Sequence, residues 1–165
     1  MIPQFATLAD AVQATFPPDE CRVLAIKEHG DAGYALFDTR PTGDPYLYEV
    51  HYLRQNGLWS EGGSSNGSGW HRFHLDTDRG METVWGEAPP GADRARFEFA
   101  REMREEAVVH GVYIAVWWDV ACPEVHAEPT EFGVNGKWVR APTRAELFEA
   151  QREAWRRARE AGGAA

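Results

Sequence analysis

Cysteine, lysine and long apolar runs are what this 165-residue chain has least of. Cys21 and Cys122 are its only cysteines, far apart and outside any CxxC spacing, so the sequence spells neither a zinc ribbon nor a disulfide framework. No basic region followed by an apolar one stands at the N-terminus, so no export signal is expected, and two reduced structural thiols follow. No apolar stretch approaches the ~18 residues that a helical membrane span needs. The expected setting is therefore the cytoplasm. Lys27 and Lys137 are the only lysines beside 15 arginines, a bias that fits a GC-rich bacterial genome and assigns no function.

Familiar catalytic signatures are missing as well. Gly62-Gly63-Ser64-Ser65-Asn66-Gly67-Ser68-Gly69 is glycine-rich, yet it lacks the lysine of a phosphate-binding loop, and Trp70-His71 follows instead of a helix start. There is no GxSxG elbow and no spacing that singles out a nucleophilic Ser or Cys. Basic charge is short too. With 26 acids against 17 bases the net charge is −9, a field that repels free nucleic acid and attracts a basic protein partner. The same surplus also serves simply to keep a protein in solution.

Aromatic residues are plentiful. Seven Trp, eight Phe and five Tyr bury large areas, so a packed core is expected and disorder is not. Residues 7–16 read as a short helix capped by Thr7, with Leu8, Val12 and Phe16 four apart and Pro17-Pro18 as the stop. Four strands follow, at Arg22–Glu28, Tyr34–Thr39, Tyr46–Gln55 and Leu58–Gly62. The last two flank Asn56-Gly57, a type I′ turn signal. A helix followed by a four-strand meander is the order of cystatin-like and NTF2-like folds, an analogy of fold alone.

The glycine-serine run, with no side chain able to pack, reads as a linker. After it come strands at Met81–Glu87, Arg94–Phe99, Glu105–Val109 and Val112–Val120. Ala95, Phe97 and Phe99 alternate with charged neighbours, as on a half-buried strand. Val112–Val120 is apolar on both faces and is expected to be central. Glu131–Val134 and Lys137–Arg140 form a second Asn-Gly hairpin, and the short strands together suggest a small β-sandwich. Residues 143–161 form the clearest helix. Thr143 and Glu146 make a capping box, and Leu147, Phe148, Gln151, Ala154, Trp155 and Ala158 form one stripe. That stripe is expected to pack on the sheets, with the arginines solvated; used instead as a partner-binding face it would present Leu147, Phe148 and Trp155 as anchors. A faint echo at an offset of 79 aligns Tyr34, Glu49, Asn56, Gly57 and Trp59 with Tyr113, Glu128, Asn135, Gly136 and Trp138, through duplication or convergence.

Three places carry possible chemistry. Along Tyr46–Arg54 the tyrosines 46, 48 and 52 alternate with Glu49 and His51. If Glu49 and His51 face a pocket, an acid beside an imidazole is a candidate catalytic pair; if the tyrosines face the core, both are solvated, which is the expectation adopted. His74, Asp76 and Asp78, with His71 nearby, are the only dense set of metal-ligand types, and no second motif supports them. Trp70 and Tyr52 are candidate ligand contacts, while Trp59, Trp85, Trp117, Trp118 and Trp138 read as core.

The chain is thus expected to be α+β: residues 1–62 a helix plus antiparallel meander, 63–79 a linker and polar loop, and 80–165 a small antiparallel β unit with a C-terminal helix, the two halves free to pack as one domain. The leading functional expectation is a non-enzymatic binding or interaction protein, of an inhibitory or immunity-like kind, with a basic protein or a small molecule as partner. No cofactor, metal, nucleic acid or membrane is called for. The alternative is a small enzyme or ligand-binding protein with its pocket at Glu49 and His51.

Overall fold

The structure is a computed structural model describing residues 2–66, 69–75, 79–99, 101–120 and 127–162, with side chains described except at 69–74 and 161–162. It is α+β. Helix α1 (Leu8–Thr15) opens the chain, and Thr7 caps it by accepting from the Asp10 amide. Strands β1 (Arg22–His29), β2 (Ala32–Asp38), β3 (Leu47–Gln55) and β4 (Leu58–Asn66) form an antiparallel sheet in that order, sheet A. β5 (Gly69–His74), β6 (Gly80–Glu87) and β9 (Val112–Val120) form sheet B. β7 (Ala92–Phe99), β8 (Glu102–Ala107), β10 (Pro129–Val134) and β11 (Lys137–Arg140) form sheet C in the order β11-β10-β7-β8, and α2 (Arg144–Gly162) closes the chain. Both Asn-Gly hairpins form, with φ of 52° and 80° at Asn56 and Gly57 and of 51° and 75° at Asn135 and Gly136. Those positive angles are what the type I′ turn demands.

Strand alternation stacks these pieces into layers. One face of sheet A, with Ala35, Phe37, Val50, Tyr52 and Trp59, packs under Leu8, Ala11 and Val12 of α1. Its other face, with Tyr34, Leu36 and Leu47, meets Met81, Trp85, Ile114 and Val116 of sheet B. The far side of sheet B, with Val84, Ala115 and Trp117, meets Ala95, Phe97, Phe99 and Phe132 of sheet C. The core between sheets A and B therefore draws on both halves of the chain. Each large apolar side chain buried there contributes about 1.5–3 kcal/mol relative to leaving it in water.

Three expectations need correction, and the duplication reading of the echo gains no support. The glycine-serine run is not a linker over its described part: residues 63–66 continue β4 and pair with β3, Gly63 opposite His51 and Ser65 opposite Glu49. β9 is apolar on both faces because sheets lie on both sides of it, yet among the described residues its one strand partner is β6, which puts it at the edge of sheet B. The 79-residue echo has no counterpart in topology, since β2 lies between β1 and β3 whereas β9 pairs with β6 and β10 with β7. Finally, α2 does not pack across the sheets. Its capping box forms as expected, with the Thr143 amide donating to Glu146 Oε2 at 2.7 Å, but every described side chain of the helix is exposed.

Candidate functional site

Glu49 and His51 are not solvated. Sheet B covers the face that the sequence leaves open, so Glu49 is fully buried and His51 is only 7% exposed. On the tyrosine face Val50 and Tyr52 are buried as well, under α1, with Tyr48 half-buried and Tyr46 exposed at the strand's entry. Glu49 sits opposite Leu36 and His51 opposite Tyr34 in the sheet A register. From β6, Thr83 Oγ1 donates to Glu49 Oε2 at 2.9 Å and Trp85 Nε1 donates to the same oxygen at 2.7 Å. Two hydrogen bonds from the facing sheet make the carboxylate a strut between layers, and charge assistance makes such bonds stronger than neutral ones. Burial, and then the Glu49 carboxylate beside it, push the Tyr34 hydroxyl well above its ordinary range.

The His51 ring lies against the Gly62-Gly63 backbone. An ideal Cβ at Gly63 would stand 2.5 Å from its Cε1, and one at Gly62 2.8 Å from its Nε2. The β3–β4 register slips between His51 and Tyr52 at this point, so a bulge and two glycines together seat the imidazole. Burial pushes its pKa below the ordinary value of 6.5, outweighing the upward pull of Glu49 and of a hydrogen bond with the Gly63 backbone. A substrate would have to part sheets A and B to reach Glu49, so the pair is built as structure first.

Tyr52 is buried beneath α1, where its hydroxyl and Thr15 Oγ1 lie 2.7 Å apart. The Trp70 and His74 side chains, together with Asp76 and Asp78, lie outside the described residues. Among the described residues no three His, Cys, Asp or Glu side chains converge as metal ligands would. Trp59, Trp85 and Trp117 are core, whereas Trp118 and Trp138 are half-buried. A second acid–imidazole pair escapes sequence reading altogether. His29 Nε2 and Asp119 Oδ2 lie 3.1 Å apart, the His29 ring stacks on Trp118, and Arg79 reaches Asp119 at 3.5 Å. The two partners are 90 residues apart in sequence and about half exposed, where ion pairs contribute little.

The exposed feature of most consequence is α2. Leu147 and Phe148 are each 54% exposed and Trp155 is 68% exposed, all on the amphipathic stripe that the sequence predicts. At the root of the helix this stripe borders a cleft of about 500 Å³. Val84 and Gly86 of β6 and Tyr113 of β9 lie on one side and Leu147 and Phe148 on the other, Glu87 and Glu128 are acidic members of the lining, and Arg144 lines it too, its guanidinium 5.5 Å from the Phe148 ring centroid. Burial, then Glu128, push the Tyr113 hydroxyl up to about 12. The same helix face runs on past Phe148 and Gln151 to Trp155, Arg156 and Arg159. α2 carries five arginines and four glutamates, a net +1, which leaves −10 on the rest of a chain whose total is −9. No helix among the described residues is long and apolar enough to cross a membrane. The chain matches no known protein family, no curated protein and no solved structure.

Proposed function

We propose that this protein is a protein–protein interaction module that holds a basic segment of its partner, bearing an aromatic anchor, at the root of α2. The observation that carries this reading is the exposure of Leu147, Phe148 and Trp155 beside a cleft furnished with Glu87 and Glu128. An apolar stripe on a helix that covers no sheet has no folding role to explain it, and such stripes dock in grooves or receive partners. The cleft asks for an aromatic ring against Phe148 and Tyr113 and for cations toward the two carboxylates, the residue types that dominate interface energetics. A lipid surface supplies no ring to lie against Phe148 and Tyr113, so a protein segment is the better fit.

The test is a fluorescence-anisotropy titration with a labelled synthetic peptide of sequence Gly-Arg-Trp-Arg-Arg-Gly. Saturable binding is expected, weakened about fivefold or more by Phe148→Ala, by Glu128→Lys and by added salt. Binding indifferent to both substitutions, or no saturation at millimolar peptide, overturns the reading.

A further inference from the structure

We infer that the partner is a second copy of this chain, whose α2 pairs antiparallel with the first so that Trp155 of each copy enters the cleft of the other. The inference rests on the interaction reading above and names its occupant. What the cleft requires, an aromatic anchor flanked by cations, is what the distal half of α2 presents: Trp155 with Arg152, Arg156 and Arg159 around it. Trp155 cannot serve its own cleft, because it lies seven residues beyond Phe148 on one helix, about 10 Å further along.

Charge sets the direction. Residues 144–151 carry Glu146 and Glu149 against Arg144, a net −1, whereas residues 152–162 carry four arginines against Glu153 and Glu160, a net +2. Parallel pairing would lay like on like; antiparallel pairing lays each half on its opposite. Arg152 and Arg157 already meet Glu149 and Glu153 within the helix, which leaves Arg156 and Arg159 without an ion-pair partner among the described residues. In the pair these two run toward Glu87 and Glu128 of the other copy. Centring the axis on Gln151, the midpoint of the Leu147–Trp155 stripe, sets Phe148 against Trp155 twice over. One twofold axis thus fills both clefts with a single self-complementary surface, as isologous dimers do.

The experiment is sedimentation velocity on the full chain over a concentration series. The expected mass at high concentration is twice 18.5 kDa. Trp155→Ala and the double variant Arg156→Glu/Arg159→Glu should each weaken dimerisation at least tenfold, with circular dichroism unchanged because these side chains are exposed in the monomer. Mixing that double variant with Glu128→Arg/Glu149→Arg, which is also monomeric alone, should restore a dimer. Orientation is read by oxidation. Gln151→Cys should cross-link across the axis, whereas Ala158→Cys should not, its two copies standing roughly 20 Å apart at ~1.5 Å rise per residue. A chain monomeric at every concentration that still binds the Arg-Trp peptide overturns the dimer and leaves the interaction reading standing. A dimer that survives both α2 variants, or that cross-links through Ala158→Cys, also overturns it.

Discussion

Trp85 Nε1 donates to Glu49 Oε2 at 2.7 Å, and that bond ties β6 of one sheet to β3 of the next across the core between sheets A and B. Because Glu49 is fully buried, its carboxyl group depends on hydrogen bonds made inside the core, and losing one of them is costly there.

Trp85→Phe should therefore destabilise the protein by about 2–4 kcal/mol, and Thr83→Val by about 1–3 kcal/mol, in urea unfolding. The triple variant Trp85→Phe/Thr83→Val/Glu49→Leu should recover part of that loss, since it removes both donors together with their acceptor. If Trp85→Phe costs less than ~0.5 kcal/mol, the strut is not structural.

His51 gives a pH signature with a definite sign. Its folded pKa is lowered by burial, so between the unfolded value near 6.5 and the lower folded value the unfolded chain binds more protons. The neutral ring's contribution is thus complete above pH 6.5 and is lost as the pH falls through the folded pKa. NMR titration should place His51 below 6.5, and Glu49→Gln should lower it further by removing the carboxylate that pulls it up. The acid-side loss of stability should shrink in His51→Gln. An unshifted His51 that ignores Glu49→Gln would place the ring in water.

Gly63→Ala probes the seat of that ring. An added Cβ at 2.5 Å from Cε1 must displace the imidazole or the strand, a strain of about 1–3 kcal/mol. Ser64→Ala, one residue along on a side chain that is exposed, should be nearly neutral. Equal effects at the two positions would contradict the close approach.

What local chemistry decides was legible. The Asn-Gly turns, the Thr143–Glu146 capping box and the alternation of Ala95, Phe97 and Phe99 each depend on a few neighbouring residues, and each stands as the sequence predicts. What distant chain supplies was not. The face of β3 that holds Glu49 is buried by Thr83 and Trp85, which lie 34 and 36 residues away. Gly62-Gly63 reads as a linker until one sees the His51 ring that needs the space. An apolar strand such as β9 shows that layers cover it and not how many strands flank it. The α2 stripe announces a helix with one apolar face, but amphipathic periodicity is the same whether that face meets its own sheet or another molecule.

The hierarchy of opening follows from the layering. β6 pairs with strands on both sides and has cores on both faces, whereas β9, the most apolar strand, forms a strand ladder only with β6 among the described residues. Hydrogen exchange should be slowest at Met81–Trp85, close to the global unfolding limit, with β9 amides facing away from β6 exchanging sooner. Uniformly slower exchange in β9 than in β6 would contradict the strand order.

The central claim, that the exposed face of α2 is a contact surface, is tested most directly by fluorine NMR of the protein labelled with 5-fluorotryptophan. Trp155→Phe identifies its resonance among the seven. That resonance should move with protein concentration and lose its solvent isotope shift as the surface is covered, while those of buried Trp59 and Trp85 stay fixed. A Trp155 resonance that remains solvent-exposed at every concentration, and is unmoved by the Arg-Trp peptide, would contradict the account.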